Sequence, residues 1–120
     1  MVTETRTREY LKLNGKYLTE AEQLLEKNDL PQASEKLWGA AAEIVKAVAA
    51  KRGVELGTHA SIWAFVEKLD HENPALDLIE KFSYAGNLHT NFYENWLSGG
   101  YVVKGMNIVK DFVEKMKKLL

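Results

Sequence analysis

The stretch DLPQASEKLWGAAAEIVKAVAAKRG, running from Asp29 to Gly53, decides the fold class. Asp29 can accept from the open amides of a helix start, Pro31 is tolerated in a first turn, and Gln32 completes a capping box. At the other end Lys51 and Arg52 suit the negative pole of a helix, and Gly53 serves as its C-cap. Between these signals Leu37, Trp38, Ala41, Ala42, Ile44, Val45, Ala47, Val48 and Ala49 cover much of the circumference instead of one stripe. Such a helix needs neighbours on several sides, and its alanines let them approach closely. The stretch predicts the central member of a helix bundle.

On either side the sequence keeps apolar residues at three- and four-residue spacing, and strand-type alternation is nearly absent. Upstream, a first helix is predicted from about Thr5 to Lys27, with Tyr10, Leu13, Tyr17, Ala21, Leu24 and Leu25 on one stripe. Downstream, Thr58 caps a short third helix that buries Ile62, Trp63, Phe65, Val66 and Leu69. Asn73-Pro74 marks a fourth, extending to about Leu97. Its apolar face carries Leu78, Phe82, Ala85, Gly86, His89, Phe92, Tyr93 and Trp96. Ser98-Gly99-Gly100 separates it from a last helix, Tyr101 to Leu120, carrying Val102, Met106, Val109, Phe112, Val113 and Met116. The expectation is all-α: an up-and-down bundle of about five helices, one domain over residues 1–120.

With 46% hydrophobic and 28% charged residues the chain is neither disordered nor membrane-embedded in composition. Its 16 basic residues against 17 acidic ones exclude a globally basic nucleic-acid clamp. The balance is uneven along the chain. Residues 70–97 hold Asp70, Glu72, Asp77, Glu80 and Glu94 against Lys81, whereas residues 101–120 hold five lysines against Asp111 and Glu114. Two adjacent helices with complementary surfaces are expected from this. The absence of cysteine excludes disulfides, thiolate metal sites and cysteine nucleophiles. Met1 to Arg6 lacks the apolar core of a signal peptide, and no apolar run reaches the ~20 residues of a membrane span. A cytoplasmic location, away from the membrane, is expected.

None of His59, His71 and His89 has a second histidine three or four residues away, so no sequence-local metal site is expected. Glu67 and His71 read as a surface pair one turn apart. No Gly-x-Ser-x-Gly, Walker loop or other nucleophile or phosphate motif appears, and no cofactor is expected. What remains is Asn87-Leu88-His89-Thr90-Asn91-Phe92-Tyr93-Glu94-Asn95-Trp96, dense in amides and aromatics. At 100° per residue His89 centres the apolar face, with Tyr93 beside it, while Asn87, Asn91 and Glu94 point roughly the opposite way. His89 is then either a neutral core histidine bonded to a buried acceptor or the wall of a cleft or dimer seam. The three polar residues form either a solvated face or a twofold helix-to-helix interface.

The five-helix layout, Leu37-Trp38-Gly39-Ala40-Ala41-Ala42 leading to Val45-Lys46-Ala47, and Leu88-His89-Thr90-Asn91-Phe92-Tyr93-Glu94 resemble the archaeal PaREP family, small proteins allied to HEPN helical domains. The resemblance covers about Tyr10 to Lys117. It implies a bundle that often dimerises, and many HEPN domains are metal-independent ribonucleases or partners of nucleotidyltransferases in toxin–antitoxin pairs. Their signature places an arginine four to six residues before the histidine. For His89 that means positions 82 to 84, which hold Phe82, Ser83 and Tyr84; the nearest upstream cation is Lys81. A lysine there does not replace the forked guanidinium that would stabilise an in-line phosphoryl transition state. Only Arg6, Arg8 or Arg52, or a second subunit, would restore it. The chain therefore reads as a non-catalytic homodimeric interaction module. It would bind a partner protein, nucleic acid or small ligand through Asn87, His89, Asn91, Tyr93 and Glu94. The alternatives are a divergent HEPN-type ribonuclease using His89 and a subunit of a toxin–antitoxin or nucleotidyltransferase pair.

Overall fold

The helix boundaries follow from short polar side chains and left-handed residues. In the computed structural model, which describes residues 2–120, α1 (Val2–Glu26) stops at Asn28, whose φ of 58° no helix can continue. The amides of Asn28 and Asp29 close back on the carbonyls of Leu25 and Leu24. Asp29 then accepts from the Gln32 amide at 3.3 Å and opens α2 (Leu30–Lys51). Gln32 returns no bond there; the reciprocal box forms instead at α3 (His59–Glu72), where Thr58 and Ser61 each cap the other's amide at 3.0 Å. Gly53, at φ 75°, ends α2 with the same carbonyl-capping geometry as Asn28.

The fourth helix departs from the expectation at both ends. Pro74–Leu76 is a separate 3-10 turn and Asp77 is left-handed, so α4 spans only Leu78–Glu94. The cause is Asp70 on α3, whose Oδ1 accepts from the Leu78 and Ile79 amides at 3.0 and 3.4 Å and starts a new helix under a carboxylate. At the far end Asn95 is left-handed, and α5 (Gly99–Lys117) begins under a Ser98 cap to the Tyr101 amide. All five helices contribute to one hydrophobic cluster, and the described residues contain no strand.

As expected, α2 lies at the centre, buried along most of its length. Against it α1 places Thr7, Asn14 and Ala21, one heptad apart and all buried, and Asn14 donates to the Ala40 carbonyl at 2.7 Å. Phe82 of α4 meets Trp38, Trp63 and Phe112 at ring distances of 5.2, 4.6 and 5.6 Å, joining four helices in one contact group. The buried positions of α4 are Leu78, Phe82, Ala85, Leu88 and Asn91. They advance mostly by three residues, so the buried face winds around the helix, away from Tyr93 and Trp96, which are 70% and 68% exposed. The single apolar face read from the sequence is corrected accordingly. The first turns pack toward Trp63 of α3, while Tyr84 and Leu88 lie against Gly105 of α5.

The charge pattern is corrected too. Among the described residues, the ion pair joining α4 to α5 is Lys81–Asp111 at 3.7 Å, of opposite polarity to the expected one. Lys110 reaches Glu22 of α1 instead, and Lys115 and Lys117 pair within α5. No ion pair joins Glu67 to His71; both are exposed.

Candidate functional site

One face of α2 is not covered. Gln32, Glu35, Lys36, Ala42, Glu43 and Lys46 all lie within about 60° of Gly39 at 100° per residue, and together they floor a cavity of ≈ 650 Å³. Tyr17 of α1 forms one wall, its ring against Gly39, where an added Cβ would come within 3.0 Å of Tyr17 Cδ2. The loop and first turns of α3, from Leu56 to Ile62, form the opposite wall, and His89 and Phe92 of α4 close one end. The volume falls within the roughly 300–1,000 Å³ of small-molecule sites.

His89 ties this end together. Its Nδ1 lies 2.8 Å from Glu35 Oε1, with the two side chains 26% and 29% exposed. Because an ionised carboxylate only accepts, Nδ1 carries the hydrogen, and in the neutral ring Nε2 is then the acceptor nitrogen. The ring stacks on Trp38 at 5.0 Å and meets His59 and Tyr93 edge-on at 5.3 and 5.6 Å. Trp38, His59 and His89 also border a second cavity of ≈ 400 Å³ lined by Trp63 and Gly86, so this aromatic group partitions two hollows. His89 is thus hydrogen-bonded to a partly exposed carboxylate at the wall of a cleft, and is not a core histidine bonded to a buried acceptor.

The other residues of the sequence cluster separate. Asn91, expected on the solvated side, is fully buried: Nδ2 donates to Ser34 Oγ at 3.0 Å, and Oδ1 accepts from the Trp96 and Leu97 amides at 2.9 and 2.8 Å. Every polar atom is occupied, and its role is to fasten the turn after α4 to the start of α2. Asn87 is exposed and donates to the Tyr101 hydroxyl at 3.1 Å. Glu94 is exposed at the last turn of α4, and Tyr93 sits outside the cleft against His89 and Phe92. Of the five, the cleft takes in His89 alone.

No arginine lines the cleft. Arg52 binds Glu72 at 3.0 Å, Arg6 binds Glu55 at 3.3 Å, and Arg8 borders a different hollow near the start of α1. The cations present are Lys36, over the Tyr17 ring at 5.0 Å and paired with Glu20 at 3.1 Å, and Lys46, paired with Glu43 at 3.5 Å. Burial pushes the Glu43 carboxyl up, partly offset by Lys46. Its Oε2 is buried and has no hydrogen-bond donor among the described residues. Among the described residues, no group of three or more His, Asp or Glu side chains is placed to hold a metal ion. Glu35, His59 and Glu43 escaped sequence reasoning. The first two meet His89 only through the fold, but the polar stripe from Gln32 to Lys46 on an otherwise apolar helix was a readable signal.

A family model, that of the archaeal PaREP1/PaREP8 family, matches residues 9–113. Among solved structures, the crystal structure of a Sulfolobus solfataricus protein superposes with a TM-score of 0.79 at 24% identity, over 89% of this chain and 95% of that one. At that identity the likeness speaks for the fold alone. No curated protein matches the chain.

Proposed function

The chain belongs to the archaeal PaREP1/PaREP8 family, and from that premise we propose that it is a binding module whose ligand is a small molecule held in the α1–α4 cleft. The observation that carries this reading is the ≈ 650 Å³ hollow over Gly39, where two carboxylates, two lysines and an aromatic end wall converge. Among the described residues no helix is long and apolar enough to cross a membrane, and we read the module as cytoplasmic. A library of small metabolites, followed by ¹³C-methyl and Trp indole NMR shifts, tests the reading. Shifts clustered at Trp38, Ala42 and Ile62, and lost on Gly39→Leu, support it; shifts scattered elsewhere or absent overturn it. The single HEPN-like domain and the homodimer rest on the family resemblance, and the exposed Tyr93 and Trp96 supply apolar area for the latter. Light scattering at several concentrations decides; a strict monomer at high concentration removes the dimer.

A second reading, metal-independent RNA cleavage or membership of a toxin–antitoxin or nucleotidyltransferase pair, is favoured by the Glu35–His89 contact with His59 beside it, an oriented imidazole of the kind general acid–base chemistry uses. Against it stands the missing arginine. RNA cleavage in chelator, abolished by His89→Ala with the helical spectrum retained, would establish this reading over the first.

A further inference from the structure

The second hollow, of ≈ 400 Å³, lies where α3 meets α4, and among the described residues no Lys or Arg lines it. Two indoles wall it. Trp38 stands there with His89 stacked on it at 5.0 Å, and the Trp63 ring packs close onto α4 because residue 86 is glycine, where an added Cβ would come within 3.0 Å of Trp63 Cζ2.

The rest of the lining is a polar stripe of α4. Ser83, Asn87 and Thr90 share with Glu80 and Glu94 an arc of about 80° at 100° per residue. Ser83 Oγ donates to the Ile79 carbonyl at 2.8 Å, Thr90 Oγ1 to the Gly86 carbonyl at 3.3 Å, and Asn87 Nδ2 to the Tyr101 hydroxyl at 3.1 Å. A hydroxyl whose single hydrogen is used only accepts, so Ser83 and Thr90 have lone pairs alone to give a ligand. Asn87 keeps its Oδ1 beside one amide hydrogen, and the indoles keep N–H groups at their ring edges, without formal charge. The charges nearby are negative: Glu80 and Glu94 continue the stripe one turn beyond Ser83 and Thr90, and Glu67 follows Trp63 by one turn on α3, all three exposed. The nearest cations of these helices turn away. Lys68 stands about 140° around α3 from Trp63, and Lys81 reaches the Leu76 carbonyl and Asp111.

Indole faces, lone pairs and flanking carboxylates complement an organic cation. A quaternary ammonium would use the rings and leave the acceptors unmatched. A guanidinium stacks its plane on an indole and directs N–H groups outward from its edge, so it engages both. We propose that the α3–α4 hollow is a site for a guanidinium group, stacked on the Trp63 indole with its N–H edge toward Ser83, Asn87 and Thr90. The group belongs to a small alkylguanidine or to an arginine side chain; the recognition chemistry is the same. Trp63 does not line the cleft over Gly39, so this site and that one stand or fall separately.

Titration of the full chain with agmatine, followed by calorimetry and at the Trp63 indole resonance, tests the proposal. It is run at pH 8, since a protonated imidazole beside the hollow would compete with a cation. Agmatine is expected to shift the Trp63 resonance saturably and to bind roughly 10-fold more tightly than 1,5-diaminopentane or choline, with Gly39→Leu leaving its affinity unchanged. N-acetylarginine amide, beside its uncharged citrulline counterpart, identifies the source: binding at least as tight as that of agmatine assigns the site to arginine side chains, weaker binding to a small alkylguanidine. Asn87→Asp adds a charge and keeps an acceptor at an exposed position, and should tighten agmatine by about 3- to 10-fold, whereas Asn87→Lys should weaken it by about 10-fold or more. A structural disturbance alone does not give opposite signs. A citrulline amide that binds as well as the arginine one, a diamine that matches agmatine, Asn87 variants that move in the same direction, or no saturable Trp63 shift up to about 10 mM overturns the proposal.

Discussion

Asn91 and Glu43 are both buried polar side chains on helices, and they differ in how fully their polar atoms are matched. Asn91 satisfies the Trp96 and Leu97 amides and Ser34. Asn91→Ala strands these groups and is expected to cost about 2–3 kcal/mol, read as a lower urea midpoint at unchanged m-value. Glu43 has one oxygen unmatched and its carboxyl pushed up by burial. The folded state thus holds this proton more tightly than the unfolded one, and stability falls as pH rises through the carboxylate range, the loss being complete above the folded pKa. Glu43→Gln is therefore expected to stabilise the protein at pH 7 by on the order of 1 kcal/mol. The gain should vanish below the ordinary carboxylate range, as thermal melts across pH will check. A variant less stable than wild type at pH 7 would mean that the Lys46 contact outweighs the burial. The sequence did not expose Asn91, which a helical wheel put on the solvent side because it assumes a straight contact stripe, and it marked Glu43 only as part of a polar stripe on an otherwise apolar helix.

Two glycines in helix interiors show how packing decides what local propensity cannot. Gly15 of α1 has nothing within 4 Å of an added Cβ. Gly15→Ala should then stabilise by roughly 0.5–1 kcal/mol through helix propensity alone. Gly105 of α5 has the same intrinsic gain available, but its Cβ would stand 2.9 Å from Leu88 Cδ1 and 3.1 Å from Tyr84 Cε1. Overpacking of this kind costs about 1–3 kcal/mol, so Gly105→Ala is expected to be net destabilising by about 1 kcal/mol. Denaturant midpoints of the two variants should move in opposite directions, and a shift of both upward would show that α4 and α5 separate easily. Helix number, order and the centrality of α2 were legible because spacing and caps are local. The break at Asp77 was not, since the Asp70 carboxylate that starts α4 reaches it from the preceding helix.

For the whole molecule, near-neutral charge conceals a separation, because the acids of residues 70–97 and the lysines of α5 do not neutralise each other in pairs. Pairs that cross between helices, among them Lys110–Glu22, Arg52–Glu72, Lys81–Asp111 and Lys36–Glu20, join partly exposed side chains around the circumference. Pairs of that kind are each worth about 0.2–1 kcal/mol and are screened by salt. Lys115 and Lys81 hold the Asp111 carboxyl below its ordinary value, a stabilisation present above the carboxylate range and lost as pH falls through the folded pKa, yet exposure keeps it small. The load is carried instead by the aromatic and aliphatic contacts around α2 and Phe82, which salt strengthens slightly. Raising sodium chloride from low to high concentration should accordingly leave the unfolding midpoint within about 0.5 kcal/mol of its starting value, the two small effects opposing each other. A loss of several times that amount would place the surface network, and not the central helix, at the origin of the fold's stability.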